Sequence, residues 1–106
     1  MSSADQARKL ALALPGAFQR DHHGRPCFRV DGHIFATLWD TEHMNVMVDE
    51  PGIATYVQRD PRVYAEVWWG KRLAAVRVAL SLVGEHELGE LLADAWERKG
   101  GSAGAG

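Results

Sequence analysis

The chain has very little cysteine: Cys27 stands alone, so no internal disulfide can form, and a reducing compartment fits. A basic excess is absent too. The formal net charge is −2 over 106 residues, which gives no global pull towards nucleic acid or an anionic membrane. No run approaches the ~20 apolar residues of a transmembrane helix. The opening residues, MSSADQARK, lack the basic start and apolar stretch of a secretory signal. A cytoplasmic location without membrane contact is the expectation. Metal spacings are missing: there is no His-x-His, His-x3-His or Cys-x2-Cys, and His22 and His23, as neighbours on a strand, would point to opposite faces. Gly70-Lys71 has neither the glycine-rich lead-in nor the following Ser or Thr of a phosphate loop. Cys27 sits mid-strand beside Pro26 with no base nearby in sequence, which reads as a buried thiol and not a nucleophile. Glu85, Glu87, Glu90, Asp94 and Glu97 fall mainly off an apolar stripe and read as a solvated helix face. Without an enzyme signature, the expectation is no catalytic residue, no metal and no cofactor.

What is present is an ordinary globular composition, 46% hydrophobic and 25% charged, in a length that suits one domain. That domain is assigned to residues 1–99, and 100–106, GGSAGAG, to a flexible tail with no side chains to bury. The centre of the pattern is Gly24 to Leu38, GRPCFRVDGHIFATL. Its runs Cys27–Val30 and Ile34–Leu38 are rich in Val, Ile, Phe and Thr and flank Asp31-Gly32, which takes the positive φ values of a tight hairpin. A two-residue loop would set Val30 against His33, Arg29 against Ile34 and Phe28 against Phe35. A three-residue loop would instead gather Phe28, Val30, Ile34, Ala36 and Leu38 on one face. With the two-residue loop both faces are largely apolar, so cover on both sides is expected.

Around this hairpin the signals are regular. Ser3 and Gln6 form a capping box before Ala7, Leu10, Ala11 and Leu14, and Pro15-Gly16 ends that helix. Ala17–His22 suggests a strand, and Met44, Val46 and Val48 alternate with Asn45 and Met47 as another. Asp49-Glu50-Pro51 opens a short helix to about Gln58. Val63–Trp69 and Leu73–Leu80 read as strands around a Gly70-Lys71-Arg72 turn. Glu87–Lys99 is the strongest helix, with Leu88, Leu91, Leu92, Ala95 and Trp96 on its apolar stripe. The sum is an α+β domain: an antiparallel sheet of five to six strands, packed by an N-terminal and a C-terminal helix.

LALPGAF, GRPCFRVDGHIFATL, WWGKRLAAVRVAL and LGELLADAWE together resemble the MmcQ/YjbR family, over roughly residues 10–98. The family's Leu-Pro-Gly-Ala turn maps onto Leu14 to Ala17. Its Gly-x-Pro-x-Phe-Arg-Val strand maps onto Gly24 to Val30, and its Gly-x-x-Phe-Ala strand onto Gly32 to Ala36. The resemblance implies a compact α+β fold of bacterial type whose hairpins form a double wing on DNA. His33 stands where members often carry lysine, and Leu73-Ala74 where many carry Gly-Trp.

Charge adds to this. From Arg59 to Arg77 five basic residues meet two acids, and from Glu85 to Lys99 five acids meet two bases. The nucleic-acid contacts expected on this basis are Arg59, Arg62, Lys71, Arg72 and His33, holding double-stranded DNA weakly and without sequence preference. Trp68 and Trp69 face opposite ways on a strand, so unless both faces are covered one indole is exposed for stacking. That pair supports a different class of function, a module binding a protein or small ligand through an exposed tryptophan. The plain alternative places both indoles in the core.

Overall fold

The computed structural model describes residues 2–101. Helix α1 (Ala4–Leu12) starts at Ser3, whose hydroxyl accepts the Gln6 backbone N–H at 3.2 Å. Four strands follow: β1 (Phe18–His22), β2 (Arg25–Val30), β3 (His33–Leu38) and β4 (His43–Val46). Helix α2 (Glu50–Arg59) is capped by Asp49, which accepts the Gly52 N–H at 2.9 Å, with Pro51 in its first turn. Then come β5 (Tyr64–Trp69), β6 (Arg72–Ala79) and α3 (Glu85–Arg98). The strands form one antiparallel sheet in the order β1-β2-β3-β4-β6-β5, so the expected α+β architecture is present with six strands and three helices.

Cross-strand pairing sorts the sheet into two faces, because directly opposed residues share a side. Phe28, Ala36, Val46 and Val76 form one row, and Leu38, Met44, Val78 and Tyr64 the next. All are buried in the same cluster as Ala7 and Ala11 of α1, Ile53 and Tyr56 of α2 and the apolar stripe of α3. All three helices therefore lie on this side. Each fully buried leucine, such as Leu88, Leu91 and Leu92, contributes about 1.5–3 kcal/mol by burial. Trp96 is part of this core, and its indole N–H donates to the Pro15 carbonyl at 2.8 Å.

The opposite face carries a row of Arg20, Cys27, Thr37, Asn45, Arg77 and Ala65. Among the described residues no helix covers it, which corrects the expectation of cover on both sides. Cys27 and Ala75 are buried there without a helix above them, and Arg29, Thr37 and Arg77 of the same face are partly buried.

The central hairpin has the two-residue loop: Asp31 (φ 50°) and Gly32 (φ 78°) both take the left-handed region, as a type I′ turn requires. Val30 faces His33 and Arg29 faces Ile34 as expected. The pairing of Phe28 with Phe35 is overturned, because a bulge sets Phe28 against Ala36 and leaves Phe35 as the extra residue. The bulge lets Phe35 and Ala36, neighbours in sequence, both enter the helix-side core. A second bulge makes Ala74 the extra residue between the Val67–Ala75 and Trp68–Leu73 pairs.

Helix α3 ends in a Schellman arrangement: the Gly101 N–H donates to the Trp96 carbonyl at 2.8 Å and the Gly100 N–H to that of Glu97 at 3.2 Å. Gly100 sits at φ 114°. A Cβ on Gly101 would clash with the Trp96 indole, so this glycine packs directly on the core tryptophan. The packed domain thus runs past residue 99 to Gly101, and residues 102–106 of the expected tail lie outside the described residues. No helix among the described residues is long and apolar enough to cross a membrane.

Candidate functional site

The uncovered sheet face collects arginines because β1 and β2 place them at alternate positions. Arg20 is opposite Cys27, His22 opposite Arg25, and Phe18 opposite Arg29, all on this side. From the far half of the sheet, Arg77 projects beside Asn45 and its Nε–H donates to the Asn45 side-chain oxygen at 2.9 Å. Trp39, just past β3, binds the two halves: the Arg25 and Arg77 guanidiniums lie 3.9 and 4.6 Å from its ring centroid. Arg25 Nε–H also donates to the Trp39 carbonyl at 2.9 Å. Phe18 and Trp69 repeat the motif, with Arg20 at 5.7 Å and Arg72 at 5.6 Å from their centroids.

A groove of about 460 Å³ runs over this face. Arg25, Arg29, Arg72 and Lys99 line it, together with His22, His23 and His33, and no Asp or Glu does. Among the described residues none of Arg20, Arg25, Arg29, Arg72, Arg77 or Lys99 has a carboxylate within salt-bridge distance. Like charges crowd one another at its end. Burial, and then the positive charges of Arg98 and Arg72, push the Lys99 pKa below the ordinary lysine range. The face is a patch of uncompensated positive charge on a chain whose net charge is −2.

Of the residues expected from sequence, the structure brings His33, Lys71, Arg72 and Trp69 to one end. β4 pairs antiparallel with both β3 and β6, so the Asp31-Gly32 and Gly70-Lys71 tips point the same way. Only β4 separates β3 from β6, which sets those strands about 10 Å apart. Arg59 and Arg62 go elsewhere. Arg59 bonds Glu87 at 3.0 Å near the start of α3, and Arg62 bonds Asp60 at 3.4 Å. At a rise of about 1.5 Å per residue Glu87 and Lys99 stand about 18 Å apart along α3, so Arg59 is held near the other end of that helix from Lys99. The two indoles are 52% and 54% exposed, so the reading that both fill the core is overturned. Trp69 lines the groove opposite Arg72, whereas Trp68 pairs with Leu73 of the helix side and donates to Glu66 at 3.4 Å.

Arg20, Arg25, Arg29, Arg77, Trp39 and Lys99 are missed by sequence reasoning. The signal was the even spacing of Arg25 and Arg29, which puts both on one face of a strand together with Cys27, and which an uncovered face would have made visible. Cys27 is fully buried, 3.5 Å from the Thr37 hydroxyl. His22 and His23 do not diverge: His23 turns to φ 53° and the rings meet edge-on at 4.2 Å, both against the groove.

A six-stranded antiparallel sheet with every helix on one side, and a basic, aromatic-studded groove on the other, defines an open-faced α+β domain. A family model, YjbR, matches residues 12–98, and the chain belongs to that family. Among solved structures it is similar to the Deinococcus radiodurans protein DR2400, a DUF419 domain, at 22% identity and a TM-score of 0.77. That match covers 99% of this chain and 85% of the other. The likeness is one of fold. No curated protein matches.

Proposed function

We propose that this chain is a non-enzymatic DNA-binding protein that meets the phosphate backbone with its two hairpin tips and the uncovered sheet face behind them. One observation carries the reading: among the described residues no carboxylate lies within salt-bridge distance of the cations of that face or of the Lys71-Arg72 tip, while Arg59 and Arg62 already hold carboxylates. Backbone contacts by arginine and lysine give affinity without sequence information, so binding is weak and indifferent to sequence. His33 stands exposed at the other tip.

With about four phosphates neutralised, through Lys71, Arg72, Arg20 and Arg25, log affinity should fall against log salt with a slope of about −3.6. That is a loss of about 150-fold between 50 and 200 mM salt. Reversing Lys71 and Arg72 to glutamate should weaken binding to all duplexes alike and flatten the slope by about two. Reversing Arg59 and Arg62 should change it far less. Duplex titrations at two salt concentrations check this, and sub-micromolar binding that ignores salt sinks it.

A second reading has its own observation. Trp68 is half-exposed outside the groove, at the β5 edge of the sheet, and suits an apolar contact with a protein partner or small ligand. Binding that resists salt and is lost in Trp68→Ala would favour it.

A further inference from the structure

We propose that the Arg29 end of the groove is a subsite for a phosphomonoester, taking a nucleoside monophosphate or the phosphorylated end of a nucleic-acid strand. The orphaned donor on Arg29 is the starting point. Its Nε is buried and has no hydrogen-bond partner among the described residues, while the Nε of Arg25 donates to Trp39 and that of Arg77 to Asn45. A desolvated charged donor without an acceptor is costly, and an anion in the groove would supply the acceptor.

The surroundings match an anion. Arg29 pairs with Ile34, one residue from His33 at the tip. The end of α3 brings Lys99 to the same place, and the β5–β6 tip brings Arg72 and Trp69. The lowered Lys99 pKa, to which Arg72 contributes, is consistent with cations massed there without a counter-charge. The nearby carboxylate is Asp31, which lies against Gly100 on the tip and does not line the groove. Three basic side chains, Arg29, Arg72 and Lys99, suit a monoester, with about −1.5 to −2 charges at neutral pH, better than a singly charged backbone diester. Trp69 offers a half-exposed indole on which a base can stack. A volume of about 460 Å³ is that of a small-molecule site.

The base and strand parts rest on the nucleic-acid reading above; the phosphate part does not. The test titrates the intact protein with adenosine, adenosine monophosphate, inorganic phosphate and matched chloride, followed by calorimetry and by the Arg29 Nε–H and Trp69 indole resonances. The monophosphate should bind at least about tenfold tighter than the nucleoside and shift both resonances. Arg29→Gln should remove that preference, and Arg59→Gln should leave it intact. Should Arg29→Gln fail to fold, inorganic phosphate must still raise the melting temperature of the unaltered protein above matched chloride. Equal binding of nucleoside and monophosphate, or no effect of phosphate beyond that of chloride, overturns the proposal. Single strands with and without a 5′-phosphate separate the two sources: preference for the phosphorylated end names the strand, and binding of the free monophosphate alone names the nucleotide. In the latter case the subsite stands, and the DNA reading falls if the duplex titrations also show no binding. Salt-sensitive DNA binding that ignores both the end phosphate and Arg29→Gln gives the reverse.

Discussion

Two side chains show how local environment sets the worth of a polar group. Tyr64 places its hydroxyl in the helix-side core without a hydrogen-bond partner among the described residues, and desolvation, followed by the negative charge of Glu87, drives its pKa well above the usual tyrosine range. An unpaired buried hydroxyl contributes nothing that a hydrogen would not. Tyr64→Phe is therefore expected to be neutral or to stabilise by up to about 1 kcal/mol, measured by chemical unfolding, and a loss above that would reveal a missed partner. Asp40 is the reverse case on the surface. Its carboxylate accepts the Glu42 N–H at 2.8 Å and bonds His43 at 2.9 Å, and these, the backbone bond first, hold its pKa below the ordinary 3.8. A depressed folded pKa means that the turn gains from the ionised form above the ordinary value and loses that gain as pH falls through the lowered one. The Glu42 amide resonance should titrate with a midpoint below 3.8, and Asp40→Asn should abolish the transition.

At the level of elements, periodicity in the sequence was a good guide wherever one face of an element decided its contacts. The α3 stripe of Leu88, Leu91, Leu92, Ala95 and Trp96 is buried as the spacing demands, and Ser3 and Asp49 cap α1 and α2 through their side chains. Bulges escaped notice. Nothing in the residue types of Phe35-Ala36 reports that one of them is extra, because a bulge is fixed by what the neighbouring strands must bury. The end of α3 escaped for a related reason: glycines read as flexible tail, yet Gly100 and Gly101 close the helix and Gly101 seats on Trp96. Gly101→Ala should therefore cost about 1–3 kcal/mol by overpacking the indole, seen as a lower melting temperature with an altered Trp96 environment. An unchanged melting temperature would place Gly100 and Gly101 outside the packed domain.

For the molecule as a whole, the sequence by itself determined the fold class, the order of elements and most of the core, because alternation and helical spacing encode which face of each element must leave water. It also determined the family, through blocks that include the Leu14–Ala17 turn and the Gly24–Ala36 hairpin. Only the tertiary structure decided which face of the sheet stayed uncovered. That depends on all three helices crossing to the same side, a choice made by the packing of α1 on α3 and of α2 and α3 on the sheet. The consequence is electrostatic. Residues from Arg20 to Lys99, spread along nearly the whole chain with a net charge of −2, become one basic face, while Arg59 and Arg62, adjacent to the tips in the sequence count, fold away to their carboxylates. Charge along a chain is a one-dimensional sum, whereas a binding surface depends on which charges share a face and which are already neutralised by a neighbour, and both are properties of the packed sheet.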